Sequence, residues 1–232
     1  TVYRFYIESN DPTDKLSAVF GNDQNPLVIN APAGIFNSPM NASWNASFIM
    51  PAFLVSFPDM VDDSYGTIGI DGPAAFSGIA GAVDPSMVED ASIPTTNVSG
   101  FFGATSPGAT QLNVNTLTGA SWYVLNTAAN ALPDEDGRWL VAQITTTGNI
   151  SGQINFQIFP LGVGADQVQT SILFEGAGTY SASGALVFGC TDSSACNYYP
   201  SATTDDGSCE GIPAGACDCD GSVLDAVGVC GG

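Results

Sequence analysis

The sequence predicts an all-β protein: an antiparallel two-sheet β-sandwich, jelly-roll-like, over residues 1–188, followed at 189–232 by a small, disulfide-rich, loop-dominated tail. Three observations predict it. Apolar and polar side chains alternate cleanly through 149–159, and short β-rich segments bounded by Gly, Pro, Asn or Asp recur upstream. All six cysteines fall in the last 43 residues, and residues 1–188 contain none.

The best strand is NISGQINFQIF at 149–159, with Ile150, Gly152, Ile154, Phe156 and Ile158 on one side and Ser151, Gln153, Asn155 and Gln157 on the other. That is the period of a half-buried antiparallel strand. RWLVAQITTT at 138–147 precedes it, and Thr147-Gly148-Asn149 predicts a hairpin turn joining the two. QVQTSILFEG (167–176) and TYSASGALVFG (179–189) continue the pattern. Upstream, TVYRFYIES (1–9), KLSAVFG (15–21), SFIMPAFLVSF (47–57), YGTIGI (65–70), SGFFGA (99–104) and SWYVLN (121–126) read as strands. Only DPSMVEDA (84–91) and TAANAL (127–132) offer a turn of helix. Many short strands with Gly/Pro turns make a two-sheet sandwich. The first strand carries Tyr3, Phe5 and Ile7 on one face and Val2 and Tyr6 on the other, with only Arg4 and Glu8 as charges. An edge strand that apolar invites pairing, so residues 1–9 are a candidate for an exchanged or linking strand between copies.

The charge balance excludes whole classes of function. There are 23 acids against three bases (Arg4, Lys15, Arg138), a formal charge of -20, and no histidine. Such a chain has no cationic surface for nucleic acid or anionic lipid. It also lacks the histidine of the common nucleophilic triads and proton relays. No apolar run reaches the roughly 20 residues of a membrane span. Beginning at Thr1 rather than Met, it is expected to be a processed or partial chain.

The tail has few large apolar residues and no regular period, so cross-links must order it. Cys190, Cys196, Cys209, Cys217, Cys219 and Cys230 are expected to form three disulfides in an extracellular setting. Six cysteines allow 15 pairings; Cys217 and Cys219 are too close in sequence to join each other. A zinc site is disfavoured by the missing CxxC spacing and histidine.

Carboxylates are the remaining candidates for chemistry. Asp62-Asp63 and Asp134-Glu135-Asp136 read as solvated turns rather than a glycosidase pair, and no nucleophile or phosphate-binding motif appears. No enzymatic activity is expected. Calcium is the better use of the acids: Asp218, Asp220 and Asp225 alternate around Gly221, and Asp192, Asn197, Asp205 and Asp206 form a second oxygen-rich group. Four Asn-x-Ser sequons, at Asn41, Asn45, Asn97 and Asn149, are candidate glycosylation sites; Asn149 falls in the expected hairpin turn, and Asn41 and Asn45 in a polar stretch expected to be exposed. Trp44, Trp122, Tyr123 and Trp139 would stack sugars if exposed, but as single aromatics in strands they read as core.

GCTDSSACNYYPSATTDDGSC closely resembles the GCTDxxACNYxPxAxxxDDGSC repeat of large secreted modular proteins of aquatic bacteria and microalgae. CDCDGSVLDAVGVCGG resembles the segment that often follows it; Tyr199 departs from the Asp or Asn usual there, against a calcium ligand at that position. The body resembles an uncharacterised β-domain of such proteins through YRFYIES, MPAFLVSFPDMVDDSYGTIGID and SWYVLNTAANALPDEDGRWLVAQITTTGNISGQINFQIF. The resemblance implies a surface or matrix protein, similar to protomers of extracellular fibrils. The expected function is therefore a structural subunit of an extracellular filament, a helical homopolymer whose partner is a further copy of itself. The alternative is a carbohydrate-binding or adhesive module with glycans as partners.

Overall fold

The computed structural model describes residues 1–93, 95–181, 190–198, 208–225 and 227–231. The chain forms two compact units, Thr1–Ala182 and Ser183–Gly232.

In chain order the N-terminal unit contains β1 (Val2–Glu8), β2 (Lys15–Gly21), β3 (Leu27–Asn30), α1 (Pro51–Leu54), β4 (Tyr65–Gly66), β5 (Ser86–Glu89), α2 (Val98–Phe102), β6 (Gln111–Val114), β7 (Ala120–Tyr123), β8 (Arg138–Thr145), β9 (Ser151–Phe159) and β10 (Val168–Glu175). The expected all-β, two-sheet antiparallel fold is present. The smaller sheet has the order β1-β8-β4, and the remaining strands form the larger.

The larger sheet is organised by β9, which has three partners but only two edges. β10 pairs with it across residues 151–158 and fills one edge. β2 and β3 therefore lie end to end along the other, β2 against 155–159 and β3 against 151–153. β7 flanks β2, β6 flanks β3, and β5 closes the far side against β7. Two strand lines are thus interrupted, by excursions at 22–26 and 115–119.

The polar side of β9 is not solvated as its alternation suggests. Asn155 is fully buried, and its Nδ2 donates to the carbonyls of Phe20 (3.0 Å), Asn25 (2.9 Å) and Pro26 (3.1 Å). Gln153 Nε2 adds a bond to Pro26 O at 2.9 Å. These amides hold the first excursion where no ladder bond reaches it.

Between the sheets lies one core containing Leu16, Val19, Leu27, Ile29, Leu112, Trp122, Trp139, Val141 and Ile144. Trp122, on the larger sheet, donates its indole N–H to Thr67 O (3.1 Å) and Val141 O (3.2 Å), the latter on β8 of the smaller sheet. Trp139 donates to Ala131 O at 2.7 Å. Both indoles are fully buried with their N–H satisfied, the condition under which tryptophan stabilises a core. Neither is available for sugar stacking; Trp44 is only partly buried against the same core.

Several local expectations are corrected. Thr147-Gly148-Asn149 makes no hairpin, because β8 and β9 belong to different sheets and the segment crosses between them. SFIMPAFLVSF is not a strand: it holds a 3-10 turn at Ala46–Phe48 and α1, with Pro51 at the first helical position, where its missing N–H costs nothing. SGFFGA belongs to α2, capped by Asn97 Oδ1 accepting from Gly100 N at 2.8 Å. DPSMVEDA supplies β5 rather than a helical turn, while TAANAL does contain a 3-10 turn at Ala129–Ala131. β3 and β6 are not among the strands expected from the sequence. The strand expected at 179–189 falls largely outside the described residues.

β1 pairs with β8 along its whole length, and Thr1 and Thr146 exchange backbone bonds at its start. Tyr3, Phe5 and Ile7 pack towards the core, with Phe5 edge-on to Phe174 of β10 at 5.1 Å. In this structure β1 completes the smaller sheet of its own chain.

The C-terminal unit is stapled by Cys190–Cys209, Cys196–Cys219 and Cys217–Cys230. Among its described residues there is no regular strand or helix, only isolated bridges such as Leu224 with Cys230. Three disulfides are the chemistry of an oxidising environment.

Candidate interaction surfaces

Residues 45–62 leave the body and return beside β4, and their inner side forms a small separate cluster of Ala46, Ile49, Met60 and Tyr65 with Leu54 against it. Their outer side is apolar and bare: Phe48, Met50, Phe53, Val55, Phe57 and Val61 are all exposed, Val55 to 87 %. No charged residue occurs from Gln24 to Pro58, and Asp59 and Asp62 follow at the end of the segment.

The base of this segment is closed by Asp63, a carboxylate only 1 % exposed. Ser38 N donates to its Oδ1 and Asn41 Nδ2 to its Oδ2, both at 2.6 Å. Asn41 Nδ2 also reaches Asn45 O (2.9 Å), while Gln143 Nε2 of β8 donates to the carbonyls of Val61 (2.9 Å) and Asp63 (2.8 Å). Arg4 Nε then donates to Gln143 Oε1 at 2.9 Å. Burial pushes the Asp63 carboxyl up to about 6, against the lowering effect of the Ser38 and Asn41 bonds. Burial likewise raises the hydroxyl of neighbouring Tyr65.

On the outer face of the larger sheet lies an open groove of about 600 Å³. Its floor carries Phe20, Tyr123 and Phe159 with Gln157 and Gln169, and Val88, Leu117 and Leu125 stand around it. Ser17, Gln157 and Gln169 form a chain of bonds across β2, β9 and β10, with Gln157 Nε2 donating to Ser17 Oγ (3.0 Å) and Gln169 Nε2 to Gln157 Oε1 (3.1 Å). No lining residue is charged. Lys15, the chain's one lysine, reaches the groove's end by donating to Asn126 O at 2.7 Å.

The residues singled out from sequence fare unevenly. Asp62 is exposed and Asp63 buried, so the two neighbours do not share the solvated turn expected of them. Asp134 is the pivot of an exposed turn, accepting from the N–H groups of Asp136 and Arg138 (both 3.0 Å) and pairing with the Arg138 side chain. Asn41, Asn45 and Asn97 are buried at 1, 5 and 3 %, which corrects the exposed stretch expected for the first two. Their side chains serve the fold: Asn45 Nδ2 donates to Pro85 O at 3.2 Å, and Asn97 caps α2. Asn149 is exposed, the one sequon of the four that is.

In the C-terminal unit the calcium candidates act as local acceptors. Asp218 Oδ1 takes Ser222 N (2.8 Å), Asp225 Oδ1 takes Val227 N and Val229 N (both 2.9 Å), and Asp192 Oδ1 takes Ser194 N (2.9 Å) and its hydroxyl (2.7 Å). Those bonds hold all three carboxyls below the usual range. Asn197 closes a loop by donating to Ser208 O and accepting from Glu210 N. Among the described residues, the three potential ligands that converge within 4.8 Å are Cys217, Asp218 and Cys230, whose sulfurs are joined to each other. Asp220 does not join them, and Asp205 and Asp206 lie outside the described residues. No described helix is long and apolar enough to cross a membrane.

Comparison with family models, curated proteins and solved structures finds no match to the chain. Sequence reasoning missed both apolar surfaces. The uncharged run between Asp23 and Asp59 was the visible signal for one. The groove had none, because its lining is drawn from five separate strands and the loops beside them.

Proposed function

We propose that this chain is a structural subunit of an extracellular filament or surface matrix, assembled by head-to-tail association of identical copies. One observation carries the reading: the exposed apolar side chains of residues 48–61, gathered on a single segment of a chain with a formal charge of -20. Single exposed apolar residues are ordinary, but a clustered patch marks a protein contact. Two copies this acidic repel one another, so an uncharged surface is where they can meet. The three disulfides and the resemblance of the tail to secreted modular proteins support an extracellular setting.

Light scattering after size exclusion, with negative-stain microscopy of the purified full chain, tests the reading. Regular filaments or concentration-dependent oligomers are expected; a monomer at every concentration up to about 1 mM refutes it. The alternative, a carbohydrate-binding module, rests on Tyr123 beside Ser121, Gln157 and Gln169 in the groove. Binding of neutral oligosaccharides on a glycan array, lost in Tyr123→Ala, would favour it.

A further inference from the structure

We infer that the groove on the outer face of the larger sheet is the receptor for residues 48–57 of a second copy, so that the two surfaces form one heterologous contact. The inference rests on the self-assembly reading and names its interface.

Charge identifies the occupant. The groove lining contains no ionisable side chain other than Tyr123, and the stretch from Gln24 to Pro58 that includes the segment contains none at all. These are two uncharged surfaces on a chain whose acids outnumber its bases 23 to three, and each would otherwise expose apolar area to water. Their rims are complementary. Asp59 and Asp62 end the segment, and Lys15 stands at the groove's end beside Asn126. Volume agrees with a partial insertion: about 600 Å³ suits a few large side chains such as Phe53, Val55 and Phe57, not a whole sheet face.

The topology makes the contact directional. The segment belongs to the flank beside β4 of the smaller sheet, whereas the groove opens on the larger sheet. A patch that meets a different patch leaves one of each free on every dimer, and growth continues unless the rotation closes a ring. A patch that met itself would stop at two.

That difference is testable with two variants at side chains so exposed that folding is spared, Val55→Asp (87 % exposed) and Leu117→Asp (84 % exposed). Circular dichroism confirms the fold of each. Each variant alone should be monomeric where the unaltered chain assembles, with at least a hundredfold loss of apparent affinity. Mixed in equal amounts they should form dimers and nothing longer, because the intact segment of one meets the intact groove of the other. Lys15→Glu should weaken assembly and steepen its dependence on salt. Assembly of either variant like the unaltered chain overturns the proposed interface while leaving self-assembly standing. A mixture that stays monomeric or grows beyond dimers overturns it equally. An unaltered chain that is monomeric throughout instead removes the structural-subunit reading itself.

Discussion

Lowering the pH from 7.5 to 4 should stabilise the fold at Asp63. This carboxyl sits only 1 % exposed with its charge unpaired by any cation, and burial lifts it from 3.8 to about 6. The folded state therefore holds the Asp63 proton more tightly than the unfolded chain does. Stability contributed by this group is greatest below the unfolded value, declines as pH rises between roughly 4 and 6, and is flat above. A shift of about two pH units corresponds to about 3 kcal/mol at 1.36 kcal/mol each. Acids with lowered values, among them Asp11 and Asp90, held by Thr13 and Thr116, act in the opposite sense. The Asp63 share is isolated by difference from Asp63→Asn. That variant loses an acceptor for Ser38 N or Asn41 Nδ2, but its cost does not vary with pH. Urea unfolding followed by the fluorescence of the buried Trp122 and Trp139 supplies ΔG at each pH. The unaltered chain should gain about 2 kcal/mol on the variant between pH 7.5 and 4, the remainder of the full shift appearing only at lower pH. Parallel profiles would refute the argument, and so would a gain for the unaltered chain in the alkaline direction.

Other perturbations follow from packing and cross-linking. In Gly152→Ala the new Cβ would stand 1.9 Å from Val28 O, prising β3 from β9; a loss of about 2–4 kcal/mol is expected in thermal or urea unfolding. Asn155→Ala takes one donor away from each of three carbonyls around the 22–26 excursion and should cost about 1–3 kcal/mol by the same measurement. Mass spectrometry of the alkylated, non-reduced protein should find no free thiol and should link Cys190 to Cys209, Cys196 to Cys219 and Cys217 to Cys230. Reduction should expose 190–231 to proteolysis and leave the cysteine-free N-terminal unit intact.

What could be read from the sequence depended on whether the deciding interaction was local. The alternation of β9 is a local property, and it identified that strand and the class of the fold. The turn at Thr147-Gly148-Asn149 is also local, but turn chemistry does not say which sheet the next strand joins. β8 is buried along nearly its whole length and β9 only in its middle, the trace of their different surroundings. At 47–57 an unbroken apolar run fits a buried strand or a short helix equally, and Pro51 decided for the helix. Asn97 shows the same ambiguity in miniature, since Asn-Val-Ser is at once a sequon and a helix cap. Asn41 and Asp63 lie 22 residues apart and meet only through the return of the segment between them, which no local pattern announces.

The two excursions of the larger sheet have a consequence for how this chain can change length. Ala18 faces Tyr123 and Leu27 faces Val114, nine residues further along one line and nine back along the other, so their mutual register passes through the excursions unbroken. Against β9 it does not: Phe20 faces Asn155 and Val28 faces Gln153, eight residues on one strand for two on the other. Residues 22–26 and 115–119 therefore pucker away from β9 together, with Gly119 so close that a Cβ there would lie 2.0 Å from Gly21 O. A single insertion at 115–119 alone would slide β7 by a residue and carry Trp122 from the core to the outer face. A matched insertion in both would lengthen the pucker and spare every other pairing. Descendants of this chain should therefore gain or lose residues at these two places in step, and the wall that Leu117 raises beside the groove is the part of the molecule most readily reshaped.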